Sequence, residues 1–215
     1  MSNFMLKLCT RPFILEITLE PVSTQTYGNE YSGRIRLAFA RGNLRLMQDT
    51  KYVGNRHLEM GFEIGHRNLP RLVEYDNEEG WGRAFHNYTL IWTPDNLKFQ
   101  VDDGTPEPLC FPGHPLYRAL GLTINERKKE AIWERASNIA PFDKEFYISL
   151  GLSVGGFEHF PDNVRNSGQE KPWENHKAKA LYNFWVNRAK WLGSWDKNDG
   201  KDSTMVIDYV KITSV

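Results

Sequence analysis

Alternation of apolar and polar residues at a period of two recurs along this chain and predicts strands. Residues 11 to 21, RPFILEITLEP, read as a strand bracketed by prolines. In RIRLAFARGN, residues 34 to 43, simple alternation sets Arg34, Arg36 and Ala38 on one face. Ile35, Leu37 and Phe39 take the other, before a turn at Arg41-Gly42-Asn43. HLEMGFEIG, 57 to 65, forms a further strand with Glu59 and Glu63 on one face. FHNYTLIWTPDNLKFQVDDG, 85 to 104, reads as strand, Thr-Pro-Asp-Asn turn and strand, with Leu97, Phe99 and Val101 together. Its first strand groups His86, Tyr88, Leu90 and Trp92 against Phe85, Asn87, Thr89 and Ile91. FYISLGLSVGG, 146 to 156, is a strand ending in two glycines, and TMVIDYVKI, 204 to 212, a closing strand. Between 105 and 145 the pattern is irregular, with prolines and the charged patch NERKKE. Helical spacing is found late, at Ala178, Leu181, Phe184, Trp185 and Arg188, and predicts one short surface helix. Many strands, Gly/Pro turns and a single late helix predict an all-β sandwich, residues 1 to 215 forming one domain.

The arginine pair poses a question. Two like charges two residues apart on one strand face repel, so something acidic must stand near them. VEYDNEE, 73 to 79, offers Glu74, Asp76 and Glu78, but without flanking apolar alternation it reads as a solvated loop. Glu59 and Glu63 read as paired surface carboxylates. A ligand carrying negative charge is the remaining source.

Composition narrows the partners. Lys plus Arg and Asp plus Glu are 27 each, so the net charge is zero. That lacks the basic footprint of a nucleic-acid binder. Aromatics reach 13%, enough for a dense core or for platforms that stack flat ligands. Cys9 and Cys110 are the only cysteines, which excludes a disulfide framework and leaves two buried thiols or one long-range bridge. With the six histidines they form no zinc-ligand spacing, and no metal or cofactor is expected. No apolar run reaches the length of a membrane span. The start, MSNFMLKLCTRPF, lacks the long apolar region of a signal peptide.

Six segments occur in one order: FHNYTLIWTPDNLKFQVDDG, APFDKEFYISLGLSVGG, FPDN, KPW, FWVNRAKWLGSW and MVIDYVKI. Together they resemble the glucanase-like domain of invertebrate β-1,3-glucan recognition proteins, also called Gram-negative bacteria-binding proteins. That domain belongs to the laminarinase branch of the sixteenth glycoside hydrolase family. The likeness runs over residues 11 to 215, and the FWxxRxxWLxxW block at 184 to 195 is its most specific part. It implies a β-jelly-roll sandwich with a glucan cleft on its concave face, in an extracellular protein. It also implies residues upstream of this chain, so that the domain is partial at its N-terminus, with sheet edges exposed.

Retaining glycoside hydrolysis needs two carboxylates roughly 5 Å apart. In active relatives the strand before Arg-Gly-Asn carries Glu, Asp and a second Glu. Those positions fall on Arg34, Arg36 and Phe39, the last returned to the cleft face only by a bulge. An arginine stays protonated and a phenylalanine does not titrate, so the resemblance implies no catalytic residue and no hydrolysis. Candidate carbohydrate contacts by position are Arg34, Arg36, His86, Trp133, Phe157, Phe160 and Trp173. Related sandwiches hold a structural calcium through an aspartate matching Asp208, but a lone aspartate predicts no tight site here. The Asn87-Tyr88-Thr89 sequon lies mid-strand and is expected to be unmodified. The function implied is non-catalytic recognition of microbial β-1,3-glucan or bacterial surface polymers in innate immunity. An anionic cell-wall polymer is the ligand that the arginines would suit. Alternatives are a scaffold that recruits an immune protease or receptor, and a weak endo-β-1,3-glucanase.

Overall fold

The computed structural model describes residues 2–7, 14–29, 31–64, 69–109, 113–119, 133, 136–194, 199–200 and 203–213. Cys9, Cys110 and the NERKKE patch lie outside the described residues. In chain order the strands are β1 (Ser2–Lys7), β2 (Ile14–Pro21), β3 (Gly33–Arg41), β4 (Leu46–Gln48), β5 (Lys51–Tyr52), β6 (His57–Ile64) and β7 (Leu69–Asp76). They continue as β8 (Phe85–Thr93), β9 (Asn96–Val101), β10 (Glu107–Pro108), β11 (Phe146–Ser153), β12 (Val164–Asn166), β13 (Gln169–Glu170) and β14 (Val206–Ile212). Helix α1 is Leu116–Ala119 and α2 is Ala180–Val186.

Two five-stranded sheets, ordered β10-β9-β8-β1-β14 and β11-β2-β3-β6-β7, form the layers, and a small sheet β13-β12-β4-β5 is added to them. Every pairing is antiparallel, as expected of a jelly-roll sandwich. Alternation dictates the main core. Leu15, Ile17 and Leu19 of β2, and Leu58, Met60, Phe62 and Ile64 of β6, face Tyr88 and Leu90 of β8 and Leu97 and Phe99 of β9. The β8–β9 hairpin closes through Pro94-Asp95, with Thr93 opposite Asn96 and its hydroxyl donating to the Asn96 carbonyl.

Strand β3 breaks the alternation. Arg36 pairs with Gly61 and Phe39 with Glu59, so Leu37 and Ala38 together stand opposite Met60. Both of them pack into the main core. This one-residue bulge sends Phe39 to the other face, beside Arg34, Arg36 and Arg41, where it joins a second cluster with Ile14, Leu46, Val53, Phe160, Val164 and Trp173. Simple alternation had put Phe39 with Ile35; the bulge is why it lies elsewhere.

Two further expectations are corrected. Residues 73 to 76 are not a loop but the end of β7, with Glu74 opposite Glu59 and Asp76 opposite His57. Their charges sit on an edge strand, where Lys51 and His57 partner them. The late surface helix is present and Phe184 of its spaced positions packs inward, together with Ala180, but Leu181 and Trp185 of the same set are exposed.

Two edge strands keep apolar side chains in solvent. On β14 these are Val206, Ile207, Tyr209, Val210 and Ile212, and on β11 Tyr147, Leu150 and Leu152. Asp208 is exposed on β14, and the Asn87 side chain accepts a hydrogen bond from the Tyr209 hydroxyl.

Gly61 makes the bulged register possible. Its φ is +146°, and a Cβ there would lie 2.0 Å from the Arg71 carbonyl oxygen of β7. Gly61→Ala is expected to cost roughly 2–4 kcal/mol, from strain plus a backbone clash. That corresponds to a melting temperature lower by about 2–4 °C per kcal/mol in a chain of this size. An unchanged melting curve by circular dichroism would contradict this pairing of β6 with β7.

Candidate functional site

The outward face of the β11-β2-β3-β6-β7 sheet carries the charges. Directly opposed residues share a face, so Glu16, Thr18 and Glu20 of β2 lie with Arg34 and Arg36 of β3 and with Glu59 and Glu63 of β6. What stands opposite the arginine pair is therefore acidic and comes from both flanking strands. Arg34 Nη2 donates to Glu63 Oε2 at 2.7 Å, with Glu16 and Glu20 carboxylates 3.7 and 3.8 Å from its other nitrogens. Arg36 lies opposite the glycine, and its guanidinium spans the gap this leaves. Nη1 donates to Glu59 Oε2 at 2.8 Å and Nη2 to Glu63 Oε1. Arg41 donates to Glu59 Oε1 at 3.3 Å and, through Nε, to the His159 carbonyl at 2.8 Å.

Three arginines thus meet four glutamates. The members are mostly removed from water, Arg36 and Arg41 keeping 10% and 9% of their side-chain exposure. Burial pulls the Arg34 guanidinium down, but hydrogen bonding to Glu63 and the charges of Glu63, Glu16 and Glu20 outweigh it and raise its pKa. Arg41 is held below its ordinary value by burial, which the attraction of Glu59 does not offset, and Arg36 repels it further. Burial also lowers His159, Arg36 and Arg41 reinforcing this against the pull of Glu16, so its imidazole is neutral at pH 7. The 3.8 Å approach of His159 to Glu16 is then a contact between a neutral ring and a carboxylate.

Phe39 closes this floor at one end. The guanidinium carbons of Arg36 and Arg41 lie 4.5 and 4.6 Å from its ring centroid, and the His159 ring 5.2 Å away. Beyond it, the 155–176 loops, α2 and the segment that follows it carry an aromatic series. Phe160 meets Trp173 edge-on, Trp173 meets Phe184 edge-on at 5.3 Å, and Phe184 stacks on Trp191 at 4.7 Å with 14° between the planes. Asp162 anchors these loops. It pairs with Lys171 at 2.6 Å and accepts from the Asn175 backbone N–H and from His176.

The candidate residues therefore separate. Arg34 and Arg36 are together on the floor. Phe160 and Trp173 are buried in the aromatic series next to it, and Phe157 is exposed on the loop before Phe160. His86 is not on this sheet. It faces inward from β8, 2.9 Å from Asp102 and against Trp81. Trp133 is core, buried between Tyr31 and Tyr117. Glu16, Glu20, Arg41 and His159 belong to the floor and went unnoticed in the sequence. The alternation of Glu16, Thr18 and Glu20 in ILEITLEP was the available signal for the first two. The acidic run at 74–79 does not serve Arg34 or Arg36: Glu74 pairs with Lys51 and Glu78 with Arg56. Among the described residues, no three His, Cys, Asp or Glu are grouped to hold a metal ion, and no helix is long and apolar enough to cross a membrane.

The fold class is visible in solved structures. The laminarinase catalytic domain of Thermotoga maritima MSB8 aligns with 79% of this chain and 55% of its own, at a TM-score of 0.50 and 15% identity. The endo-1,3-β-glucanase catalytic domain of Thermotoga petrophila RKU-1 aligns to the same extent. At this identity the likeness defines a laminarinase-type β-sandwich and nothing about activity. No family model matches the chain. Sequence relatives are more specific. Beta-1,3-glucan-binding protein 1 of Manduca sexta is 37% identical over 200 residues, 91% of this chain and 38% of that protein. Beta-1,3-glucan-binding protein 1 of Galleria mellonella is 35% identical over 206 residues, and Gram-negative bacteria-binding protein 1 of Drosophila melanogaster 34% over 202. The chain belongs by sequence with the beta-1,3-glucan-binding and Gram-negative bacteria-binding proteins, and it spans less than two-fifths of the length of these relatives.

Removing Arg36 would leave Glu59 and Glu63 facing each other without their shared cation. Arg36→Met is expected to destabilise the fold by about 3–5 kcal/mol, read from urea denaturation. Adding Glu59→Gln and Glu63→Gln should restore part of that loss, and a triple variant no better than the single one would refute the coupling.

The hydrogen bond from Lys171, then that from the Asn175 backbone, hold the Asp162 carboxyl down at about 2. A depressed carboxylate contributes stability above its ordinary range near 4, lost only as pH falls through its folded value. The loop anchor should therefore survive acidification to about pH 3, with an NMR titration of Asp162 inflecting near 2. Asp162→Asn should alter Trp173 emission already at neutral pH; a wild-type inflection near 4 would refute the anchor.

Proposed function

We propose that this chain is a non-catalytic recognition domain for microbial β-1,3-glucan in innate immunity, acting outside the cell. The observation that carries the reading is the floor of the sheet, taken with relatives named as binding proteins. Arg34, Arg36 and Phe39 stand where the family resemblance puts the reacting carboxylates. The glutamates that remain nearby are committed to arginine. Arg36 lies between Glu59 and Glu63, in the space that a scissile oxygen and its attacking group would need. A weak glucanase built on these two residues is disfavoured for that reason.

An anionic cell-wall polymer is also disfavoured as the ligand of Arg34 and Arg36. Their charge is compensated by Glu16, Glu20, Glu59 and Glu63, so an incoming anion would compete with intramolecular partners already in place. A neutral glucan meets no such competition. The apolar edge of β14 supports a second reading, a protein-docking scaffold for an immune protease or receptor.

The test is a sedimentation assay on insoluble β-1,3-glucan with release of reducing sugar measured in parallel. Binding without release is expected. Sugar release that disappears in Glu59→Gln or Glu63→Gln would overturn the non-catalytic assignment, and absence of binding would favour the scaffold.

A further inference from the structure

Helix α2 is apolar on both sides. Ala180 and Phe184, four residues apart, fix its inner side to the cluster around Trp173. Its outer side carries two further pairs at the same spacing, Leu181 with Trp185 and Tyr182 with Val186. These four side chains remain 77, 59, 63 and 45% exposed. A helix that is apolar all round is ordinarily buried, so the outer stripe is a face without its partner.

The charges around the stripe define that partner. From 174 to 194 the chain carries Lys177, Lys179, Arg188 and Lys190 against one acid, Glu174, in a protein whose net charge is zero. Glu174 lies 3.9 Å from Lys177. Lys179, Arg188 and Lys190 are exposed and, among the described residues, pair with no carboxylate. Arg188 stays on the stripe itself, its guanidinium carbon 5.0 Å from the Trp185 ring centroid. Two of the cations precede the helix and two follow it, so both ends of the apolar stripe are basic. A second copy of the chain would bring two such sets of like charge together, which disfavours self-association through this face. The partner is therefore anionic and apolar at once. Its surface also yields, because Leu181 and Tyr182 at these exposures stand proud of the protein rather than line a groove. Tyrosine and tryptophan with an apolar body and a polar tip, beside long cationic stems, are the side chains suited to a boundary between hydrocarbon and water.

We propose that the outer face of α2 and its flanking cations form a peripheral docking surface for an anionic phospholipid bilayer. Leu181, Tyr182, Trp185 and Val186 enter the boundary between headgroups and acyl chains, and Lys177, Lys179, Arg188 and Lys190 lie among the phosphates. The helix rests on the bilayer and is too short to cross it. Ala180 and Phe184 keep it attached to the fold, so docking requires no unfolding. The surface is separate from the arginine floor and its ligand contains no sugar, so the assignment does not depend on the glucan-recognition reading.

The experiment is flotation of the full chain with vesicles of phosphatidylcholine alone, and with vesicles of phosphatidylcholine and phosphatidylglycerol in equal parts, at low and at high salt. The wild type is expected to float with the anionic vesicles only, and to be largely released at high salt, where the attraction is screened. Leu181→Ser/Trp185→Ser and Lys179→Glu/Lys190→Glu should each weaken that binding about tenfold or more. Their melting temperatures should match the wild type, because all four side chains stand in solvent. Failure of the wild type to float with anionic vesicles would overturn the proposal. Equal flotation with phosphatidylcholine alone would do the same, as would variants that float as the wild type does. A dimer in analytical ultracentrifugation that Leu181→Ser/Trp185→Ser dissociates, without vesicle binding, would assign the face to a second copy and overturn the bilayer.

Discussion

The bulge at Leu37 and Ala38 decides which side of the sheet each later residue of β3 faces, and the charged floor depends on it. With strict pairing, Phe39 and Arg41 would turn into the interior between the sheets, and Arg41 would be buried there without an acid. One extra residue moves both to the outer face, where Glu59 and the His159 carbonyl receive Arg41 and the ring of Phe39 lies beneath two guanidinium groups. Gly61 is the matching concession on β6. It accepts a backbone conformation closed to other residues and leaves its outward position open to Arg36.

The ion-pair array is better understood as a specifier of register than as a large source of stability. Desolvating several charges roughly cancels what their attraction returns, so replacing such an array with apolar groups is often neutral. Its asymmetry is what matters. Arg34 reaches Glu16 and Glu20 of β2 and Glu63 of β6, Arg36 reaches Glu59 and Glu63, and Arg41 reaches Glu59, so sliding β3 by one residue would leave buried charge unpaired. The hydrophobic layer behind it supplies the larger favourable contribution, through the fully buried Leu15, Ile35, Leu58, Phe62 and Phe99.

Phe39 connects this array to the aromatic series. On one side it carries Arg36 and Arg41; on the other it shares a cluster with Phe160, Val164 and Trp173. The phenyl ring suits both sides, stacking under the guanidinium groups and packing with the apolar cluster. Phe160, Val164 and Trp173 of the 155–176 loops pack against it, and the Phe39 ring is left with almost no exposure to water. Charge and apolar surface are thereby separated along one sheet face, with a balanced ionic floor at one end and aromatic walls at the other.

How much of this could be read beforehand divides along the range of the interactions. Strands β2, β6, β8, β9, β11 and β14 and the Pro94-Asp95 turn follow from alternation and turn chemistry within a dozen residues, and the sequence by itself determined them. It also determined that Arg34 and Arg36 share a face and need compensating negative charge. The tertiary structure alone decided which acids. Glu16 and Glu20 are 14 to 20 residues away along the chain, and Glu59 and Glu63 more than twenty. They converge only because β2 and β6 flank β3 in one register. β7 escaped detection because its alternating charges are satisfied by Lys51 and His57 across strands, a pairing invisible in a local window. Trp133 and His86 were misplaced for the same reason. An aromatic or imidazole side chain serves equally in a core or a cleft, and only the packing of distant elements over it settles which surface it joins.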